Sequence, residues 1–348
     1  MVPQSVDKSS RGPRILSGIQ PSGRLHLGNY YGALHQFIQL QSEGEALYFI
    51  ANLHALSTLR DAQSLREHTL DAALAYLSLG LDPTTSILFR QSDVPEITEL
   101  FWILGSLVPV SHLERAHGYK DKVARGVAAN FGLFTYPVLM AADILAFGAD
   151  LVPVGKDQAQ HVEFARDWAT RFNINFVAGY DPQDPRADQP GHAPGILKLP
   201  DVRVPEYAAV VAGTDGRKMS KSARNTIELF ATDAELQRQI MGIRTDSTPR
   251  ELPKPIDNAL YQLLALMAPP GEFAELDHSW KAGGKGYADY KKTLLDYFHA
   301  TFDTARQRRE ELRQDPAEVE RILASGAHRA REIAAPIMAQ VRLATGIR

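Results

Sequence analysis

Apolar residues fall along this chain in two regimes. Through roughly the first two hundred residues, short apolar runs alternate with longer stretches of helical spacing; beyond residue 226 only the helical spacing remains. Arg14 to Ile19, Leu47 to Ala51, Ser86 to Phe89 and Asp150 to Val154 read as short buried strands. Between them, Leu27 to Gln41 carries Leu27, Tyr30, Tyr31, Leu34, Phe37, Ile38 and Gln41 at helical spacing. Ala62 to Leu79, Ile97 to Leu107 and Tyr136 to Gly148 predict further helices, the last with Pro137 at a tolerated early position. Strands alternating with helices at this spacing predict an α/β fold, a parallel sheet covered on both faces. Phe172 to Leu199, rich in proline and glycine, reads as an irregular excursion. Asp233 to Gly242, Ile256 to Met267, Tyr287 to Gln314 and Asp315 to Ile347 predict an all-helical C-terminal domain, with Thr232-Asp233 and Asp315-Pro316 as helix starts. The division is then a loose polar tail over 1–13, an α/β domain over 14–225 and a helical domain over 226–348.

Composition narrows the function little. With 44% hydrophobic and 23% charged residues, the 348-residue chain is ordinary for a globular protein. The absence of cysteine excludes disulfides and thiolate-held metal sites, and fits a reducing compartment. No apolar run approaches the roughly 20 residues that span a bilayer, and Met1 to Pro13 lacks the apolar core of a signal peptide, so the expected location is cytoplasmic, with no membrane partner. A net charge of −3 requires any nucleic-acid contact to be local. From Lys281 onward there are 13 Lys and Arg against 9 Asp and Glu, a bias of +4 with Arg306, Arg308, Arg309 and Arg313 at its centre.

Two segments carry chemistry. Lys218-Met219-Ser220-Lys221-Ser222 lies between Gly213, Asp215, Gly216 and Asn225, a loop setting in which ammonium groups and hydroxyls suit a polyphosphate. Gln20-Pro21-Ser22-Gly23-Arg24-Leu25-His26-Leu27-Gly28-Asn29 joins the first strand to the first helix, where free backbone N–H groups and the helix dipole favour an anion. Gly28 lets a nucleotide approach the backbone closely. Ligands of such sheets bind past the strands' C-terminal ends, where His26, Asn52, His54, Gln91, Asp157, Gln158 and His161 fall. Ala116 to Asn130 is polar and glycine-flanked, a mobile segment carrying Lys120 and Lys122. Tyr136, Met140 and Asp143 share one helical face; an acid on an otherwise apolar face is costly to bury without a donor, which points to a functional acceptor.

The paired segments resemble the two signature sequences of class I aminoacyl-tRNA synthetases. Ser17-Gly18-Ile19-Gln20-Pro21-Ser22-Gly23, Gly28-Asn29-Tyr30, Tyr136 to Asp143, Val152-Pro153-Val154-Gly155, Asp157-Gln158 and the lysine loop are together similar to the bacterial-type tryptophanyl-tRNA synthetases, from about Arg14 to the C-terminus. The resemblance implies a Rossmann-like catalytic domain, a helical domain that binds the tRNA anticodon, and a homodimer. It also implies activation of L-tryptophan with ATP and Mg2+, release of pyrophosphate, and esterification of the terminal adenosine of tRNA(Trp), with no prosthetic group and no protein-bound metal. By that likeness Gln20, Pro21, Ser22, Gly28, Asn29, Gly155, Lys156, Asp157, Val210, Lys218, Met219, Ser220, Lys221 and Ser222 surround ATP, with Lys218, Lys221, Lys122 and His26 acting on the phosphates. Asp143 accepts the indole N–H, while Tyr136, Met140, Val152, Val154, Gln158, His54 and Leu16 form the tryptophan pocket. Leu16 stands where relatives carry an aromatic, and Asn52 and Lys156 where they carry acids. A tyrosine-specific relative, another adenylate-forming enzyme and a catalytically silent paralogue remain as alternatives. Met140 argues against the first, because tyrosine-specific relatives carry a glutamine there; the complete lysine loop and the retained Gly28 and Asp143 argue against the other two.

Overall fold

The computed structural model describes residues 12–116, 119–120, 126, 128–155, 158–184, 193–204 and 211–348. Five parallel strands form one sheet in the order β3-β2-β1-β4-β5: β1 (Arg14–Ile19), β2 (Glu45–Ile50), β3 (Ile87–Arg90), β4 (Leu151–Pro153) and β5 (Asp201–Arg203). The pairing runs from Arg14 opposite Glu45 to Ile19 opposite Ile50, with Ile15 opposite Leu151 on the other side of β1. Alternation in β2 explains why both faces are covered. Leu47 and Phe49 join one core with Phe89 and Val152, whereas Ala46, Tyr48 and Ile50 join another with Leu74 and Tyr76. The chain winds outward from β1 through β2 to β3, then returns to the far side of β1 as β4. The switch point therefore lies between β1 and β4, where an open parallel sheet offers a ligand crevice.

The helices before β4 are α1 (Leu27–Asn29), which continues through a π-turn at Tyr30–Leu34 into α2 (His35–Leu40), then α3 (Asn52–Ala55), α4 (Ala62–Ser78), α5 (Glu96–Gly105), α6 (Val110–Glu114) and α7 (Phe131–Leu145). After β4 come α8 (Ala159–Phe176), α9 (Asp233–Met241), α10 (Ala259–Met267), α11 (Glu272–Ala282), α12 (Tyr287–Gln314) and α13 (Pro316–Thr345). Several features depart from the sequence reading, among them the short strand β5, which was not expected. Helix α7 begins at Phe131, not Tyr136, because the Asn130 side chain caps it by accepting from the Leu133 N–H at 2.9 Å; Pro137 is thus interior. Helix α8 runs into the expected irregular stretch as far as Phe176. Helix α11 lies in the stretch between the expected helices ending at Met267 and starting at Tyr287, where none was expected. Residues 1–11 of the expected tail, and most of the expected mobile segment around Lys122, lie outside the described residues.

The C-terminal helices do not form one separate core. Helices α9 to α12 share a core with Leu27, Val211, Met219 and Ile227, so they seat the lysine loop. Helix α13 returns to the sheet: Val319 and Leu323 pack with Leu88, and Ala327, Ala330, Ala334, Met338 and Val341 pack with Phe89 and Phe147. Ion pairs from Arg331 to Glu96 and from Arg342 to Glu99 fasten it to α5. Small residues permit the close approach, and a Cβ on Gly326 would lie 1.9 Å from the Leu88 carbonyl oxygen, covering the free edge of β3. Gly326→Ala is therefore expected to cost about 1–3 kcal/mol of stability, read as a lower denaturation midpoint in urea, because α13 must lift from β3. An unchanged midpoint would mean that the helix does not seat at this glycine.

Candidate active site

The phosphate end is built where β1 stops. After Ile19 the chain turns through Gln20, buried Pro21 and exposed Ser22, and enters α1 at His26, whose N–H donates to Asn29 Oδ1 at 3.1 Å. The Leu27 N–H donates to the Ile227 carbonyl, and the Leu229 N–H to the Leu25 carbonyl, each at 3.0 Å. These bonds pair the first segment antiparallel with the stretch that follows the lysine loop. A Cβ on Gly28 would press on the His26 ring at 3.0 Å and reach Met219 at 3.5 Å, so glycine there keeps both segments in register. Met219 itself is buried beside Leu27, anchoring the middle of the loop while Lys218 and Ser222 stay exposed.

Lys221 closes this arrangement, its Nζ donating to the Ser22 carbonyl at 2.7 Å and to Ser22 Oγ at 3.1 Å. Burial lowers its pKa, opposed by the charges of Glu228 and Asp71. His26 is buried, and burial together with the Lys221 charge lowers its pKa to about 4, so it is neutral near pH 7. The loop is shaped by buried Asn225. Its Oδ1 accepts from the Ser220 N–H at 2.8 Å, and its Nδ2 donates to Asp215 Oδ1 at 2.7 Å and to the Lys218 carbonyl at 3.2 Å. That amide, with Arg217, holds the Asp215 carboxyl down at about 2.

The second half of the site lies past β2, β3 and β4. Asp143, on α7, is fully buried, and each carboxylate oxygen has a donor: His54 Nε2 to Oδ2 at 2.9 Å and Gln91 Nε2 to Oδ1 at 2.7 Å. Burial raises its pKa, and the hydrogen bonds from His54 and Gln91 act in the opposite direction. One turn away, Met140 is half-buried against the same core, and Tyr136 shares a 2.7 Å hydrogen bond with His161 Nε2. Ser17 Oγ donates to the Pro153 carbonyl at 3.0 Å, tying β1 to β4 across the switch point. The result is a cationic, glycine-lined anion site at one end and a sheltered carboxylate beside apolar walls at the other, which suits a phosphorylated nucleotide together with a small molecule bearing an apolar ring.

Comparison with known proteins matches that geometry. The family of class I tRNA synthetases for tryptophan and tyrosine matches residues 8–302. The chain belongs to this family. A tryptophan–tRNA ligase of Rhodopirellula baltica is 48% identical over 337 residues, covering 96% of this chain and all of that protein. One from Fusobacterium nucleatum is 47% identical, covering 92% and 94%. The crystal structure of tryptophanyl-tRNA synthetase from Campylobacter jejuni, complexed with ADP and tryptophan, is 45% identical, with a TM-score of 0.86 over 96% of this chain and 99% of that one.

Within this class I synthetase, the site residues read from the sequence fall into three groups. Pro21, Ser22, His26, Gly28, Asn29, Met219, Ser220 and Lys221 meet where the lysine loop crosses the first turn, with Gln20 and Ser222 exposed beside them. Asp143, His54, Met140, Tyr136, Val154 and Gln158 are grouped around α7 and the end of β4, while Leu16 and Val152 are wholly inside the core. Gly155 accepts from the Gln158 N–H at 2.9 Å. Lys122, Lys156, Asp157 and Val210 lie outside the described residues. Asn225 was not assigned to the site from sequence, and Gln91 was placed past a strand end without a role. Gln91 follows a strand end, and that was its one signal; Asn225 followed the loop and read as turn chemistry. Asn52 exchanges hydrogen bonds with Ser92 at 2.8 and 3.1 Å and so fixes α3 to the turn after β3.

The neutral state of His26 gives a pH dependence with a definite sign. Between its unfolded value of 6.5 and its folded value of about 4, the unfolded chain takes up a proton that the folded chain refuses. Stability is thus intact above pH 6.5 and falls as the medium is acidified through that window, on the order of 1–3 kcal/mol for this group. Urea denaturation of the ligand-free protein at pH 7 and pH 5 checks this: His26→Gln is expected to flatten the acid loss, and an equal loss in both proteins would refute the assignment.

Proposed function

We propose that this chain activates L-tryptophan with ATP and transfers it to the terminal adenosine of tRNA(Trp). The observation that carries the reading is the convergence of a lysine loop and a glycine turn, Lys221 on Ser22, at one end of a sheet whose neighbouring pocket holds a buried acid. The tryptophan carboxylate attacks the α-phosphorus of ATP, a carboxyl–phosphate anhydride forms, and pyrophosphate departs with the charge of the broken bond. A ribose hydroxyl of the tRNA then displaces AMP. Neither step needs a side-chain nucleophile, so positioning and cationic stabilisation carry the rate.

Lys218, Lys221 and Lys122 hold the triphosphate, with Ser220 and Ser222 beside them, while neutral His26 and the N–H groups near Gly28 and Asn29 take the phosphates from the other side. Gln20, Pro21, Ser22, Gly155, Lys156, Asp157, Val210 and Met219 complete the ATP site. Mg2+ enters with ATP as part of the substrate. Asp143 accepts the indole N–H. Met140 and Val154 wall the ring, backed by Val152 and Leu16 from the core, and Tyr136, Gln158 and His54 face the rest of the amino acid. A methionine at position 140 supports an indole over a phenol, because a thioether is only a weak acceptor, has no donor for a hydroxyl, and suits an apolar ring.

The helical part over 226–348 binds the anticodon end of the tRNA, with α13 braced against the α/β part. The protein works as a homodimer in the cytoplasm. Dimerisation is supported by an apolar cleft of about 410 Å³ between α3 and α7, where Leu56 and Phe131 are exposed beside Phe101 and Leu139. Trp102, next to it on α5, is 71% exposed and Phe131 69%, more aromatic surface than a monomer leaves bare without use. Among the described residues no helix is long and apolar enough to cross a membrane.

ATP–pyrophosphate exchange with tryptophan, tyrosine and phenylalanine tests the function. Exchange with tryptophan alone is expected; exchange with tyrosine alone, or none, would refute it. Lys221→Ala tests the loop: the exchange turnover is expected to drop on the order of 10²–10³-fold with the ATP requirement little changed. A defect confined to ATP binding would instead make Lys221 a ground-state contact.

A further inference from the structure

Gln91 occupies the first position after β3 and is completely buried. A buried primary amide must satisfy a carbonyl and an N–H on opposite sides, and here the two sides differ in kind. Oε1 accepts from the Leu53 backbone N–H at 3.0 Å, in the first turn of α3, where that N–H has no partner within the helix. Nε2 donates to Asp143 Oδ1 at 2.7 Å. Turning the amide over would set an oxygen against a carboxylate and an N–H against an N–H, so the Leu53 contact fixes Gln91 as a donor toward Asp143. The residue after Leu53 is His54, which supplies the donor on Oδ2 at 2.9 Å. One side chain therefore holds Asp143 directly on one oxygen and sets the helix that presents the donor to the other.

We propose that Gln91 is a specificity-determining positioning residue: locked as a donor, it keeps Asp143 an acceptor and thereby selects amino acids whose ring carries an N–H. The argument rests on the reading of Asp143 as acceptor of the indole N–H, given above. Each carboxylate oxygen has two lone-pair directions, so one donor on each leaves room for the substrate while opposing the proton that burial would otherwise favour. If Asp143 were protonated, it would lose the charge that strengthens acceptance from the indole N–H, and one of its oxygens would turn donor. His54, from α3, is the one titratable group acting on Asp143 among the described residues; Tyr136, two helical turns nearer the N-terminus of α7, is engaged with His161.

The test compares kcat/KM in ATP–pyrophosphate exchange for tryptophan and for 3-benzothienylalanine, in which sulfur replaces the indole N–H, using the full chain. Gln91→Met keeps the length and removes the donor; it is expected to lower the tryptophan preference about tenfold, with the KM for ATP unchanged. Gln91→Glu keeps the acceptor for Leu53 and regains a donor only when protonated. Its preference is expected to recover as pH falls from 8.5 to 6, while that of Gln91→Met does not, a divergence that a merely structural role would not produce. Asp143→Asn serves as the control for the underlying reading. Wild-type preference in Gln91→Met, alongside a collapsed preference in Asp143→Asn, would overturn the role of Gln91 and leave Asp143 in place. Undiminished preference in Asp143→Asn would overturn the acceptor itself. Should Gln91→Met fail to fold, the pH response of Gln91→Glu decides alone, and an absent recovery refutes the proposal.

Discussion

Two backbone hydrogen bonds, Leu27 to Ile227 and Leu229 to Leu25, hold together segments two hundred residues apart. Without them the glycine turn after β1 and the lysine loop would be separate surface features, each of a kind common on proteins that bind no nucleotide. The pairing brings Lys221 onto Ser22, and Gly28 lets His26 and Met219 close on each other. Its cost is electrostatic. A lysine and a histidine are brought together in a partly desolvated place, and the molecule answers by leaving the histidine neutral and by setting Glu228 and Asp71 where they attract the lysine. An arriving polyphosphate would reverse that balance, since its oxygens favour both cations.

The other half of the site solves the opposite problem. A fully buried carboxylate loses far more hydration than a surface one, and it persists as an acceptor only if donors surround it. His54 and Gln91 supply them, and both are held by neighbours: Gln91 through Leu53, and the start of α3 through the exchange between Asn52 and Ser92. The cationic end rests on an exposed loop, with Lys218 free in solvent, whereas the acceptor end is packed on every side. That asymmetry fits a reaction in which the amino acid must be recognised by fixed geometry while the phosphates change charge and position as bonds break.

Much of this was legible in the sequence because β1 to β4 are short apolar runs and the stretches between them carry helical spacing. The strands β1 to β4 and the long helices α12 and α13 follow directly from such patterns. Strand order does not: nothing local in Leu151 to Pro153 says that it pairs with β1 and not with β3, so the switch point appears only in the folded chain. Strand β5 escaped because its three exposed residues carry a single valine, Val202, between two charged neighbours, too short a run to register as a strand. The start of α7 was misplaced because Pro137 resembles a first-turn proline, and the asparagine that caps the helix lies seven residues before it. The residues of the site that came from sequence were those with unusual chemistry for their setting, such as an acid in an apolar helix or lysines in a turn. Gln91 and Asn225 are unremarkable in composition, and their importance comes from burial, which is a property of the fold.

The return of α13 to the sheet bears on how a distant contact would reach the active site. If the tRNA is gripped by the helical part, its binding energy is not confined to a tethered module. Helices α9 to α12 share their core with Leu27 and Met219, the residues that anchor the turn and the loop, and α13 lies against β3, whose end carries Gln91. Packed side chains thus connect the helices to both ends of the site. The two routes end differently. The path through α13 ends on a strand edge beside a buried amide, whereas the path through α12 ends on a loop whose lysines are exposed or half-buried. A contact far from the sheet would on this account shift the lysines before it disturbed the acceptor, leaving selection of the amino acid intact while the phosphate site adjusts.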